Sequence, residues 1–123
     1  MIFEPTTIVL YVEHILISSQ FYQDLLGIKA DDTSPTFHTF RLSNGMSLGL
    51  KANHAVEPPT EKSGRGELAF TVDNNNKVDT LFVEWQEKGI KMALPPTIVP
   101  YGYTFLALDP DGNRLRVVSL GKL

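Results

Sequence analysis

"TFLALDPDGNRLRVV", Thr104 to Val118, is the stretch on which the reading of this chain turns. A strand pattern runs into Asp109-Pro110-Asp111-Gly112-Asn113 and out into a second strand. Pro110 presets φ and Gly112 supplies a positive one, so the five residues read as a hairpin turn. Side chains alternate along a strand, which puts Leu115 and Val117 on one face and Arg114 and Arg116 on the other. The first face is core. The second carries two arginines that packing alone does not call for.

The same hairpin occurs once before. "NGMSLGL" from Asn44 aligns without a gap on "DGNRLRV" from Asp111, which makes Gly49 the counterpart of Arg116. Gly27-Ile28-Lys29 recurs as Gly89-Ile90-Lys91, and Thr39-Phe40 recurs as Thr104-Phe105. The segments between agree. Residues 7–12, "TIVLYV", read as a strand. In "SSQFYQDLLG", Ser18 or Ser19 is expected to cap a helix whose Phe21, Tyr22, Leu25 and Leu26 make one apolar face, ended by Gly27. A short strand near Ile28, a strand over 37–43, an Asn44-Gly45 turn and a strand over 46–51 complete a βαβββ unit. Residues 53–66, rich in Pro, Gly and charge, read as a linker. Then the unit restarts, with a strand over 67–73 and a helix whose Val78, Leu81, Phe82 and Trp85 fall at i, i+3, i+4 and i+7 before Gly89.

The expected fold class is therefore α+β: one domain, 1–123, with module one at 6–52 and module two at 67–121. The two βαβββ modules are expected to share a curved mixed sheet, a cup, with the helices on its outer face. Ile8, Leu10 and Val12, and in the repeat Leu68, Phe70 and Val72, should meet the helices. Thr7, Val9 and Tyr11 should face the cup.

Composition excludes several classes of function. Hydrophobic residues make up 42% and charged residues 20% of the 123, an ordinary globular balance. The net charge is −3 and the eleven Lys and Arg are scattered, so no basic stripe offers itself to nucleic acid. The longest clearly apolar run, Ile8 to Val12, is too short for a bilayer, and Met1-Ile2-Phe3-Glu4-Pro5 lacks the features of a signal peptide. The absence of cysteine rules out disulfides, thiolate nucleophiles and thiolate zinc sites and fits a reducing, cytoplasmic setting. A small molecule is the expected partner, with neither nucleic acid nor membrane.

The paired modules, "FYQDLLGI" after the first strand and "LDPDGNRLRVV" at the end resemble the vicinal oxygen chelate superfamily, which includes glyoxalase I, extradiol dioxygenases and bleomycin-resistance proteins. The resemblance covers nearly the whole chain. It implies a divalent metal held by His, Glu or Gln from the first and last strands of each module. Carried over by position, those ligands fall on Thr7, Gly49, Glu67 and Arg116, of which Glu67 alone is a good donor. His14, His38 and His54 have no partner at metal-ligand spacing and read as ordinary histidines. No metal and no other cofactor is therefore expected.

Glu67 and Arg116 stand where one metal would be shared, so a salt bridge is expected in its place, with spare guanidinium donors for a ligand's carboxylate or carbonyl. Tyr11, Tyr101 and Tyr103 offer aromatic walls. "VDTLFVEWQEKG" and "YGYTFLALDPDGNRLRVV" are similar to the phenazine- and bleomycin-type antibiotic-resistance binders, which sequester a drug as dimers with pockets at the subunit interface. The expectation is a homodimeric, non-enzymatic protein that binds a planar or aromatic compound. Thr7, Val9, Tyr11, Gly49, Glu67, Tyr103 and Arg116 are expected to line the cup, Gly49 opening space where the enzymes place a ligand. Two alternatives stay open: a metal-dependent glyoxalase-type lyase or isomerase, or dioxygenase-related enzyme, and a metal-free enzyme with Glu67 as general base.

Overall fold

The computed structural model describes residues 2–59 and 66–121, so residues 60–65 of the expected linker lie outside the described residues. The chain divides into two compact units, Met1–Gly64 and Arg65–Leu123. The described strands form two four-stranded mixed sheets, one in each unit, rather than a single continuous one.

The first unit runs β1 (Thr7–Val12), α1 (Ile15–Leu26), β2 (Asp32–Thr33), β3 (Phe37–Arg41) and β4 (Ser47–Ala52), then a 3₁₀ turn at Asn53–Ala55. Its strand order is β1-β4-β3-β2, with β1 parallel to β4 and the other neighbours antiparallel. Leu10, Val12, Phe40, Leu48 and Leu50 are buried, as is Tyr22 on α1. Tyr22 packs edge-on against Phe21 at 5.1 Å between ring centroids. Ile8 shares the register of the buried row but stays exposed, because the apolar row fades towards the start of the strand.

Two local expectations need correction. The helix begins at Ile15 with His14 as its N-cap, and the expected caps Ser18 and Ser19 lie within its first turns. The Ser18 amide already donates to the His14 carbonyl at 3.0 Å, and both serines are buried against the sheet. Their small side chains let the helix approach β3, where Ser19 Oγ and His38 Nδ1 lie 2.7 Å apart. The second strand is not near Ile28 but at Asp32–Thr33. Gly27 does end the helix as read: at φ 73° it holds a left-handed conformation, and its amide donates to the Gln23 carbonyl.

The second unit repeats the plan: β5 (Glu67–Thr71), α2 (Asn75–Glu87), β6 (Lys91–Val99), β7 (Gly102–Leu108) and β8 (Arg114–Leu120), in the order β5-β8-β7-β6. Asn74 caps α2 by accepting the Lys77 amide at 3.0 Å. Val78 and Trp85 are the buried residues of α2. Trp85 meets Phe105 of β7 and Phe70 of β5 edge-on, at 5.3 and 5.7 Å. Such contacts add to the ~1.5–3 kcal/mol that burying each large apolar side chain contributes. Pro95 and Pro96 sit in β6, the edge strand, where its register with β7 shifts and missing amide donors leave no ladder bond unmade.

Pairing registers fix how the units correspond. Gly49 lies opposite Thr39, and Arg116 lies opposite Leu106, so the counterpart of Thr39 is Leu106 rather than Thr104. The repeated Thr-Phe pair is thus a coincidence of composition two residues out of register. The gap-free hairpin alignment holds: Thr7 pairs with Ser47 as Glu67 pairs with Arg114, which keeps Thr7 equivalent to Glu67 and Gly49 to Arg116.

Candidate functional site

In the second unit the turn after β7 does more than reverse the chain. Asp109 accepts the Asp111 and Asn113 amides through Oδ1 and the Asn113 side-chain amide through Oδ2, all at 2.8–2.9 Å. Asn113 is 2% exposed, and its Oδ1 accepts the Gly66 amide at 2.8 Å. The Arg114 amide donates to the Gly66 carbonyl at 2.9 Å. The turn therefore grips the residue before β5, fixing Glu67 against the strand that carries Arg116.

Phe105, Leu115 and Val117 point into the core beneath α2, and alternation sends Thr104 and Arg116 to the opposite face of the sheet. There Arg116 Nε donates to Glu67 Oε2 at 3.1 Å and Nη1 to Thr104 Oγ1 at 3.3 Å. The Thr104 hydroxyl donates to the Val117 carbonyl at 2.8 Å, which orients its oxygen to accept from the arginine. The Tyr101 ring lies 5.9 Å from the guanidinium carbon, within cation–π range. The side chain of Arg116 is 15% exposed and that of Glu67 38%, so the cation is the more enclosed partner.

Tyr103 does not join them. It shares the face of Phe105, and its hydroxyl donates to Asp79 Oδ1 on α2 at 2.7 Å. That hydrogen bond, followed by desolvation and the charge of Asp79, raises its pKa. Tyr101, two residues earlier and in the turn that precedes β7, supplies the aromatic wall instead.

The first unit presents an equivalent face, opposite α1. Registers place Tyr11, Lys51 and Phe37 in one row across β1, β4 and β3, and Val9, Gly49 and Thr39 in the next, beyond which lie Thr7, Ser47 and Arg41. Val9 and Tyr11 are exposed. Gly49 is not an opening. A Cβ built there would lie 2.8 Å from Phe37 Cζ and 3.4 Å from Val9 Cγ2, so the Phe37 ring already covers the glycine. The missing Cβ leaves room for the tip of that ring. Lys51 Nζ stands 5.7 Å from the Phe37 ring centroid. Phe37 and Lys51 were legible only through parity: Phe40 as a core residue puts Phe37 on the other face.

These residues do not suit a divalent cation. At the four positions that correspond to metal ligands, Thr7 is a weak donor, Gly49 has none, Arg116 is cationic, and the carboxylate of Glu67 is engaged by that arginine. His38 is buried against Ser19, while His14 and His54 border a shallow depression of about 390 Å³ with Leu16 and Ile17. Among the described residues no three His, Cys, Asp or Glu side chains gather as a metal site would require. Nor is any described helix long and apolar enough to cross a membrane.

The sequence profile of the glyoxalase/bleomycin resistance protein/dioxygenase superfamily matches residues 5–117. The chain belongs to that superfamily. A relative within reach of sequence comparison is the phenazine antibiotic resistance protein EhpR of Enterobacter agglomerans, 29% identical over 119 residues, covering 94% of this chain and 92% of its own. A solution NMR structure of an Agrobacterium tumefaciens protein is 44% identical, with a TM-score of 0.90 over 98% of this chain and 100% of that one. A superfamily member from Nocardioides shares the fold at 22% identity and TM-score 0.83, covering 100% and 92% of the two chains. The superfamily's description joins glyoxalases, bleomycin resistance proteins and dioxygenases, so membership carries the fold and the residues of each face must carry the function.

Proposed function

We propose that this superfamily member is a metal-free binding protein that sequesters a planar or aromatic small molecule, as an antibiotic-resistance or carrier protein. The observation that carries the reading is the Arg116–Glu67 pair. At two positions where related enzymes coordinate a metal, a guanidinium and a carboxylate hold each other at 3.1 Å, with Thr104 as a further acceptor and Tyr101 alongside. A paired, oriented arginine beside an aromatic ring suits recognition of a flat ligand with a polar edge. It offers neither an open coordination position nor a free base. The antibiotic-resistance relative supports the same class of ligand. Exposed Leu16, Ile17, Ile98 and Leu120 leave apolar surface for a second copy to cover, in line with a homodimer.

Calorimetric titration with phenazine, alongside metal analysis of the purified protein, tests the reading. Saturable binding without stoichiometric metal, weakened roughly tenfold by Arg116→Met, is expected. Stoichiometric bound metal, or absence of any binding, overturns it.

A further inference from the structure

Each sheet face opposite the helices carries basic side chains, and their partners differ. In the second unit Arg116 is neutralised by Glu67. In the first, Lys51 is half-buried between Tyr11 on one strand and Phe37 on the other, and no carboxylate pairs with it among the described ion pairs. Asp32, on β2, is held by Arg41 at 3.0 Å. A lysine set in an aromatic row with no described counter-ion leaves its ammonium donors for an anionic group. The outer edge of the Phe37 ring already lies over Gly49, where a Cβ would come within 2.8 Å of Cζ.

Resting on the proposed binding function, we infer that the Tyr11–Lys51–Phe37 row selects an anionic aromatic ligand: the ring system lies on Phe37 and Tyr11, and its carboxylate or comparable acidic substituent pairs with Lys51. Charge complementarity commits the site to a small aromatic acid. A neutral analogue of the same shape would keep the stacking and lose the ion pair.

Phenazine-1-carboxylate and phenazine-1-carboxamide form a matched pair of probes, titrated calorimetrically at low salt into the wild-type protein, Lys51→Met and Phe37→Leu. The acid should bind wild type roughly tenfold more tightly than the amide. Lys51→Met should abolish that preference while leaving the amide nearly unchanged, and Phe37→Leu should weaken both probes together. Equal binding of acid and amide to wild type overturns the inference and leaves the binding function standing. So does a preference that survives Lys51→Met and disappears in Arg116→Met, which would place selection at the other face. A protein that binds neither probe overturns both.

Discussion

Removing either member of the Glu67–Arg116 pair should not have the same effect, and the asymmetry can be worked from the structure. Arg116 is 15% exposed and Glu67 38%. Glu67→Ala leaves an enclosed guanidinium with Thr104 as its remaining polar partner, whereas Arg116→Met leaves a carboxylate that water can reach. A charge-assisted hydrogen bond contributes about 1.5–3 kcal/mol when well enclosed, and solvent screening brings a half-open pair towards the bottom of that range. Glu67→Ala should therefore destabilise by roughly 2 kcal/mol and Arg116→Met by about 1 kcal/mol or less. The double variant should recover part of the larger loss, because it removes the stranded charge along with its partner. Urea denaturation read by the fluorescence of Trp85, with the slope m unchanged across the set, measures all four corners of the cycle. Equal single losses that simply add would refute the reasoning, since they would mean the arginine is as well solvated as the carboxylate.

Two further perturbations follow. Tyr103→Phe should lower thermal stability below pH 10, because the bond to Asp79 raises the phenol pKa above its ordinary value of 10.0 and so favours the folded state while the phenol is protonated. That contribution is fully present below the unfolded pKa and fades as pH rises through the higher folded one, so melting curves of the two proteins should converge above pH 10. Gly49→Ala should change stability little, the clash with the free end of the Phe37 ring costing ~1 kcal/mol against a gain of ~0.5–1 kcal/mol from replacing a strand glycine. It should nonetheless weaken phenazine binding severalfold by tilting the ring, which calorimetry on the refolded variant would read.

The sequence made the architecture legible because the strongest signals were local and repeated: an Asn-Gly turn, an Asp-Gly turn and the same strand that follows each. It pointed to Glu67 and Arg116 for the same reason, since the hairpin alignment survives as pairing register. What it missed depends on contacts between segments distant in sequence. Ser18 resembles a cap until α1 packs on the sheet and buries it. Tyr101 and Tyr103 look interchangeable until β7 begins at Gly102, which leaves Tyr101 in the turn beside Arg116 and sends Tyr103 with Phe105 towards α2. A glycine in a strand announces a close approach but not what approaches; Phe37, twelve residues earlier, fills the space that Gly49 seemed to leave open.

The grip of Asn113 on Gly66 joins residues 47 apart in sequence, and the parallel pairing of β5 with β8 closes the same long loop. Contacts that wait on so distant a closure are costly in chain entropy and tend to form late in folding. Arg116 meets Glu67 only across that closure. The candidate binding face of the second unit thus exists only in a chain that has made that closure, and one that holds its helix and hairpin without it has no Glu67–Arg116 pair to offer a ligand.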